Sequence, residues 1–371
     1  MTAGVKLTGL VKTYGEATAV QGVDLDVPAG DFLCLLGPSG CGKSTILRMI
    51  AGLEAQTAGR IEIRGETVAD PAAGLFATPE RRDVGLVFQN YALWPHLTVA
   101  RNVEFGLRLR RMSAAARAQR VSEVLEEMEI AALAERYPGQ LSGGQQQRVA
   151  IARTLAVEPK VLLMDEPLSN LDARLRLEMR GVLKRLHARL GATIIFVTHD
   201  QWEAMTLAST IAVMRDGRIE QVGTPEAIYE RPESRFVVEF VGAPPINIFD
   251  LAAATPIARA LAAAAGPRVV SAGVRPEALV LGQPAADVAF AAPAEVTGVL
   301  PTGGAWIVEL ACGNDTVFAL SHNRPAVAPG DHIRVSAPRH APHLFDDAGR
   351  TCSPVSMSEP ATLPTPIDRA R

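Results

Sequence analysis

The stretch Gly37-Pro38-Ser39-Gly40-Cys41-Gly42-Lys43-Ser44-Thr45 carries the residue types and spacing that most directly specify chemistry in this chain. It fits G-x-x-x-x-G-K-[ST], a phosphate-binding P-loop. Gly37, Gly40 and Gly42 let the backbone curl until successive N–H groups point inward at anionic oxygens. The positive end of the helix that follows adds to that field. Lys43 brings a full charge to the terminal phosphates, and the Ser44 hydroxyl is a ligand for Mg²⁺. Cys41, at a helix start and two residues from Lys43, is expected to have an unusually acidic thiol, so that alkylation inactivates and nucleotide protects.

Other polar positions fall where strands end. Asp165-Glu166 closes the apolar run Val161-Leu162-Leu163-Met164. Two adjacent acids there repel and are poorly solvated, so a cation must compensate; Asp165 is assigned to Mg²⁺, directly or through water. Gln89 ends the run from Val84 to Phe88, where a parallel strand delivers a side chain to a nucleotide crevice. Its amide is in place for Mg²⁺ or a water. His199 ends the run from Thr193 to Thr198. Tyr14 reads two ways: stacked on a base, or packed over a turn.

A second glycine-containing stretch, Ser142-Gly143-Gly144-Gln145, opens a helix to about Val157. Ser142 with Gln145 fits a capping box. The two glycines also expose N–H groups at a positive helix end, an anion site without lysine. A chain with one P-loop needs no second receptor for the same face of its nucleotide. The natural use is closure over a nucleotide held by another copy. Asp172 suits the cap of the next helix, whose stripe from Leu175 to Leu190 stops at Gly191.

These groups need elements to hold them. Phe32 to Leu36 reads as a buried strand leading into the P-loop; Ile46, Leu47, Met49 and Ile50 read as the helix leading out. Val5, Leu7 and Leu10, then Val23, Leu25 and Val27, alternate as half-exposed strands. Arg60 to Arg64 is another strand, and residues 66–82, with Pro71, Gly74 and Pro79, read as loop. Tyr91, Leu93, Trp94, Pro95 and His96 form an apolar patch, either a local cluster or a docking site for another protein's helix. Val121, Val124, Leu125 and Met128 have helical spacing, and Asp216-Gly217 marks a hairpin.

The P-loop, Gln89, Leu141 to Gln145 and Asp165-Glu166, in this order, resemble the ABC transporter ATPase family over roughly residues 4–235. The resemblance implies an α/β P-loop cassette with a helical subdomain at about 90–158, and ATP hydrolysis with Mg²⁺. It implies head-to-tail pairing of two copies, each ATP enclosed by one chain's P-loop and the other's Ser142 and Gly144. Glu166 becomes the general base for water, His199 serves the γ-phosphate and positions Glu166, and the loop at Asp172 touches the partner cassette.

The totals agree. A chain of 371 residues predicts two domains. A formal charge of -3, with 21% charged residues, gives no nucleic-acid or anionic-lipid surface. No apolar run approaches the roughly 20 residues of a membrane span. Met1 to Leu10 lack a basic-plus-apolar leader, and the four cysteines lack disulfide or metal spacing, so a reducing cytosol is expected.

Composition shifts after Gly242, at Ala243-Pro244-Pro245, setting expected domains at 1–240 and 241–351. Ala252 to Ala265 suits a helix. Short strands at Val269–Val270, Ala294–Leu300, Ala305–Leu310, Thr316–Leu320 and His332–Ser336 suggest a small, OB-like β-barrel. Gly273 to Glu277, Pro342 to Asp346 and Asp200 to Ala208 resemble importer ATPases of the maltose/maltodextrin type, although the Ala-rich stretch departs from that group's extended strands. The implied setting is peripheral, on the cytoplasmic face of a membrane. Two integral-membrane permease subunits and an external solute-binding protein would be partners, and residues 89–104 and 113–136 would be the docking surface. Carbohydrate is the first cargo; polyamine, ferric iron or glycerol phosphate are alternatives. A soluble ABC ATPase acting on DNA or ribosomes is the alternative of another class, disfavoured by a single cassette with short motif spacing. His340 and His343 lack a third metal ligand nearby, and 352–371 is expected to be disordered.

Overall fold

A computed structural model describes residues 3–283 and 287–352. The expected disordered segment, Cys352 apart, lies outside these residues. The described chain forms two compact units that divide at Arg231/Pro232. The composition shift points to a later divide, at 240/241. Residues 232–240 belong with the second unit because Glu233, Ser234 and Arg235 bond through their backbones to the stretch 349–351.

The first unit opens with β1 (Ala3–Tyr14) and β2 (Ala17–Pro28), whose alternation buries Val5, Leu7, Leu25 and Val27. β3 (Phe32–Leu36) is buried at every position, as a strand covered on both faces must be. It leads through the P-loop into α1 (Lys43–Ala51). β4 (Ala58–Ile63) follows, then β5 (Glu66–Asp70) and β6 (Leu75–Phe76). The expected loop at 66–82 therefore contains two strands. Only Val68, Ala69 and Asp70 of β5 are buried, too short a run to show a period of two.

β7 (Val84–Val87) precedes the helical part: α2 (Val99–Leu109), α3 (Ala114–Glu127) and α4 (Gly143–Ala156). Each helix starts at a hydroxyl cap, from Thr98, Ser113 and Ser142, and the three pack on one another. The unit continues with β8 (Val161–Asp165), α5 (Ala173–Leu190), β9 (Thr193–Thr198) and α6 (Gln201–Leu207). It closes with the hairpin β10 (Thr210–Arg215) and β11 (Arg218–Gly223), turning at Asp216-Gly217 as expected, and α7 (Pro225–Glu230).

Two sheets result. One is antiparallel, ordered β2-β1-β4-β5-β6; the other runs β11-β10-β3-β9-β8-β7 and is parallel except at β11. Residues from both sheets and α1 share one core, including Leu7, Leu25, Leu35, Ile46, Ile50 and Val197. The register aligns the C-terminal ends of four parallel strands: Leu36 pairs with Thr198, Val197 with Asp165, and Met164 with Val87. The residues that follow these ends therefore emerge at one edge, where open parallel sheets bind ligands.

The second unit contains α8 (Arg235–Phe240), β12 (Asn247–Asp250), α9 (Pro256–Ala264), β13 (Ser271–Val274), β14 (Val280–Leu281) and β15 (Val288–Pro301). β16 (Trp306–Cys312), β17 (Asp315–Ser321), β18 (His332–Pro338), β19 (His343–Phe345) and β20 (Thr351–Cys352) complete it. The small OB-like barrel takes the form of two antiparallel sheets, β14-β18-β15-β16-β17 and β12-β13-β19-β20, around one core that also takes Ile257 and Leu261 of α9. The strand expected at 269–270 lies instead at β13, whose Ala272 and Gly273 carry little apolar signal. A Cβ on Gly273 would stand 2.9 Å from Ile246 Cδ1, so a side chain there would make Ile246 shift.

Candidate nucleotide site

The P-loop is shaped by what its glycines avoid. A Cβ on Gly37 would stand 2.4 Å from the Met214 carbonyl oxygen; one on Gly42 would stand 2.5 Å from that of Ala19. Gly42 is also the N-cap of α1 with φ 100°, a conformation open to glycine. No side chain caps this helix start, so its first N–H groups face the loop interior together with Lys43. Lys43 Nζ donates to the carbonyls of Gly37 and Pro38, each at 2.8 Å, which holds the cation across the loop.

The two neighbouring acids are separated. Asp165 Oδ1 accepts from Ser44 Oγ at 2.6 Å, and Arg48 lies 3.9 Å from Oδ2. Glu166 adopts φ 43°, a left-handed conformation that non-glycine residues rarely hold, with its N–H bonded to Val197 O at 3.1 Å. Its Oε2 lies 3.2 Å from His199 Nδ1 and 3.5 Å from Gln89 Nε2. The left-handed turn thus gives each carboxylate its own partners. Gln89 also donates to Ser169 Oγ at 3.4 Å, while its own carbonyl accepts from Asn170 Nδ2 at 2.9 Å.

Ser44 Oγ and Asp165 Oδ1 form a pair of hard oxygen donors beside the P-loop, the chemistry that fits Mg²⁺ completed by phosphate oxygens and water. Among the described residues no cluster of three His, Cys, Asp or Glu could hold a metal.

Tyr14 ends β1 and is 47% exposed. Its hydroxyl bonds Glu54, Thr45 of α1 reaches it, and Lys12 Nζ stands 4.8 Å from its ring centre. Cys41 corrects the expectation of an acidic thiol. It is 4% exposed, and burial pushes its pKa up despite Lys43 Nζ at 3.6 Å. Desolvation of a thiolate outweighs one nearby ammonium.

Ser142 and Asp172 belong to a second cluster. Ser142 N–H donates to Gln145 Oε1 at 3.0 Å and Gln145 N–H to Ser142 Oγ at 3.4 Å, closing the expected capping box. Asp172 caps α5 through Leu175 N–H at 3.0 Å, and a Cβ on Gly144 would lie 3.3 Å from Leu175. Gly143 lies over Leu171, where a Cβ would stand 3.7 Å from Cδ2. No hydrogen bond or ion pair among the described residues joins Ser142–Gln145 to residues 37–45.

Sequence reasoning missed several supports. Arg48 and Asn170 are polar residues whose partners lie far along the chain. Asp200 pairs with Arg176 at 3.2 Å and Arg180 at 3.6 Å, and caps α6 directly after His199. Its place just before a helix was the available signal. Beside it, Glu203 is buried and accepts from Thr198 Oγ1 at 2.6 Å; desolvation raises its pKa.

Residues 20–169 match the ABC transporter family model, and residues 272–345 match the TOBE domain. The sn-glycerol-3-phosphate import ATP-binding protein UgpC 3 of Rhizobium johnstonii is 45% identical, covering 94% of this chain and 99% of that one. The trehalose/maltose import ATP-binding protein MalK of Thermococcus litoralis is 52% identical over 67% of each chain. The dimeric structure of a post-hydrolysis state of the ATP-binding cassette MJ0796, bound to ADP and Pi, is similar with a TM-score of 0.53 and 37% identity, over 60% of this chain and 98% of that one. With the P-loop and acidic strand end in place, this chain belongs to the ATP-binding proteins of ABC transporters and hydrolyses ATP with a cassette followed by a TOBE domain.

Proposed function

We propose that the chain energises solute import, with carbohydrate or glycerol-3-phosphate as cargo. The names of the UgpC and MalK relatives support import. The observation that carries the catalytic reading is the convergence of four parallel strand ends, bringing Lys43, Gln89, Asp165, Glu166 and His199 to one edge. In this reading residues 37–45 hold the phosphates, Ser44 and Asp165 hold Mg²⁺, and Tyr14 stacks on the base. Bound Mg²⁺ would neutralise charge on the phosphate oxygens. Water attacks the γ-phosphorus as the bond to the ADP oxygen breaks, and Glu166 takes the proton from that water. His199 and Gln89 hold Glu166 in line.

Ser142, Gly143 and Gly144 of a second copy close over the γ-phosphate, with Gln145 capping that helix and the Asp172 loop meeting the partner. No helix among the described residues is long and apolar enough to cross a membrane. Partner permeases would carry the solute and hold the chain at the cytoplasmic face. Their docking surface would be residues 89–104 and 113–136. These include all the lining residues of a groove of about 430 Å³, with Ala100, Glu104, Arg117, Val121 and Leu125 among its walls. An external solute-binding protein would deliver cargo.

The test is uptake after deletion of the gene. Uptake of a sugar or of glycerol-3-phosphate is expected to be lost and restored by the intact gene. Unchanged uptake of both classes would reject the cargo assignment.

A further inference from the structure

The segment just after Gln89 is held in a conformation its own residues do not favour. Tyr91 has φ 62° and Ala92 φ 47°, two successive left-handed residues, neither of them glycine. The Tyr91 N–H bonds back to Phe88 O at 3.0 Å and that of Ala92 to Asn90 O at 2.7 Å, so the chain reverses tightly here. Tyr91 is 6% exposed, and its hydroxyl has no partner among the described residues. Strained backbone together with a buried unpaired hydroxyl persists only where the surroundings impose it.

One side chain bonds both left-handed residues. Arg153, on α4, donates from Nη1 to Ala92 O at 2.6 Å and from Nη2 to Tyr91 O at 3.0 Å. Its guanidinium stands 4.8 Å over the Trp94 ring. It makes no ion pair among the described residues, so its charge is directed at the two carbonyls and the indole face. On the other side of the reversal, Asn170, in the loop after Glu166, holds the Gln89 carbonyl.

We infer that Arg153 is a positioning residue for hydrolysis: it latches the left-handed step at Tyr91–Ala92 to α4 and thereby sets Gln89 against Glu166. The helix that begins at Ser142 then carries both the cap offered to a second copy and the latch on Gln89. Displacement of α4 reaches the water-activating group through two hydrogen bonds. The inference rests on the role proposed above for Gln89.

The test uses the full chain and compares kcat and KM for ATP hydrolysis. Arg153→Met is expected to lower kcat about tenfold with KM within twofold. Ala92 is exposed, so Ala92→Gly sacrifices no packing and removes one left-handed penalty. In the Arg153→Met background, Ala92→Gly is expected to restore kcat to within about threefold of the original. If Arg153→Met does not fold, Arg153→Lys, which keeps the charge and loses the forked donors, is held to the same criteria. Full kcat without the guanidinium, or a loss that glycine does not restore in a folded chain, overturns the latch. Gln89→Ala, measured alongside, tests the underlying reading: full activity there strikes the role of Gln89. Loss there with none in the Arg153 variant strikes the latch alone.

Discussion

Asp165 and Glu166 are adjacent acids at a buried strand end, yet they do not share an environment. The backbone turns left-handed at Glu166, sending one carboxylate to Ser44 and the other to His199 and Gln89. A base must accept a proton, whereas a residue that only shapes the site need not. Glu166→Gln keeps the hydrogen-bonding outline and removes the basicity. It is expected to slow hydrolysis about 10²–10⁴-fold while ATP still binds, measured as phosphate release in a single turnover. Release at the original rate would remove Glu166 as the base. The polar residues gathered at this edge were legible because side-chain identity and strand-end position suffice to nominate them. The conformation at Glu166 was not, since a glutamate gives no sign of a positive φ. Cys41 shows the same limit: a nearby lysine is visible in sequence, and the burial that outweighs it is not.

At the scale of elements, legibility followed the strength of the periodic signal. β3, β8 and β9 are continuous apolar runs, and α4 and α5 have caps and stops; all were readable. β5 and β13 were not, because three or four buried residues that include alanine or glycine look like connection. β13 has a further consequence. Its Gly273 pairs with His343 of β19, whose pKa is lowered to about 4 by burial and then by the Arg275 cation. Folded His343 is therefore neutral where the unfolded residue, ordinarily near 6.5, is charged. The unfolded chain binds the extra proton, so stability is full above about 6.5 and falls as pH drops toward 4. Urea titrations at pH 7 and 5 are expected to show this loss, and His343→Gln to make the midpoint less sensitive to pH. An equal shift in the variant would remove His343 as the cause.

For the molecule as a whole, the P-loop cluster and the Ser142–Gln145 cap are each locally braced and sit in separate clusters. The P-loop cluster gathers at the strand ends, while Ser142–Gln145 is braced on Leu171 and Leu175 with no hydrogen bond or ion pair to it among the described residues. The motifs raise the same division as an expectation, one receptor with a lysine and one without. Two copies head to tail would complete both sites, with the γ-phosphate as the bridge. Ser142→Arg places a long cation where the proposed seam has room for a hydroxyl, yet leaves the P-loop untouched. It is expected to abolish hydrolysis while ATP affinity, measured by fluorescent-nucleotide displacement, stays within about twofold. Glu166→Gln alone should sediment as a dimer with ATP, because the bridge is no longer cleaved. The double variant should bind ATP and sediment as a monomer. A double variant that still dimerises, or a Ser142→Arg chain that loses ATP binding, would place Ser142 in its own chain's site and end the two-chain reading.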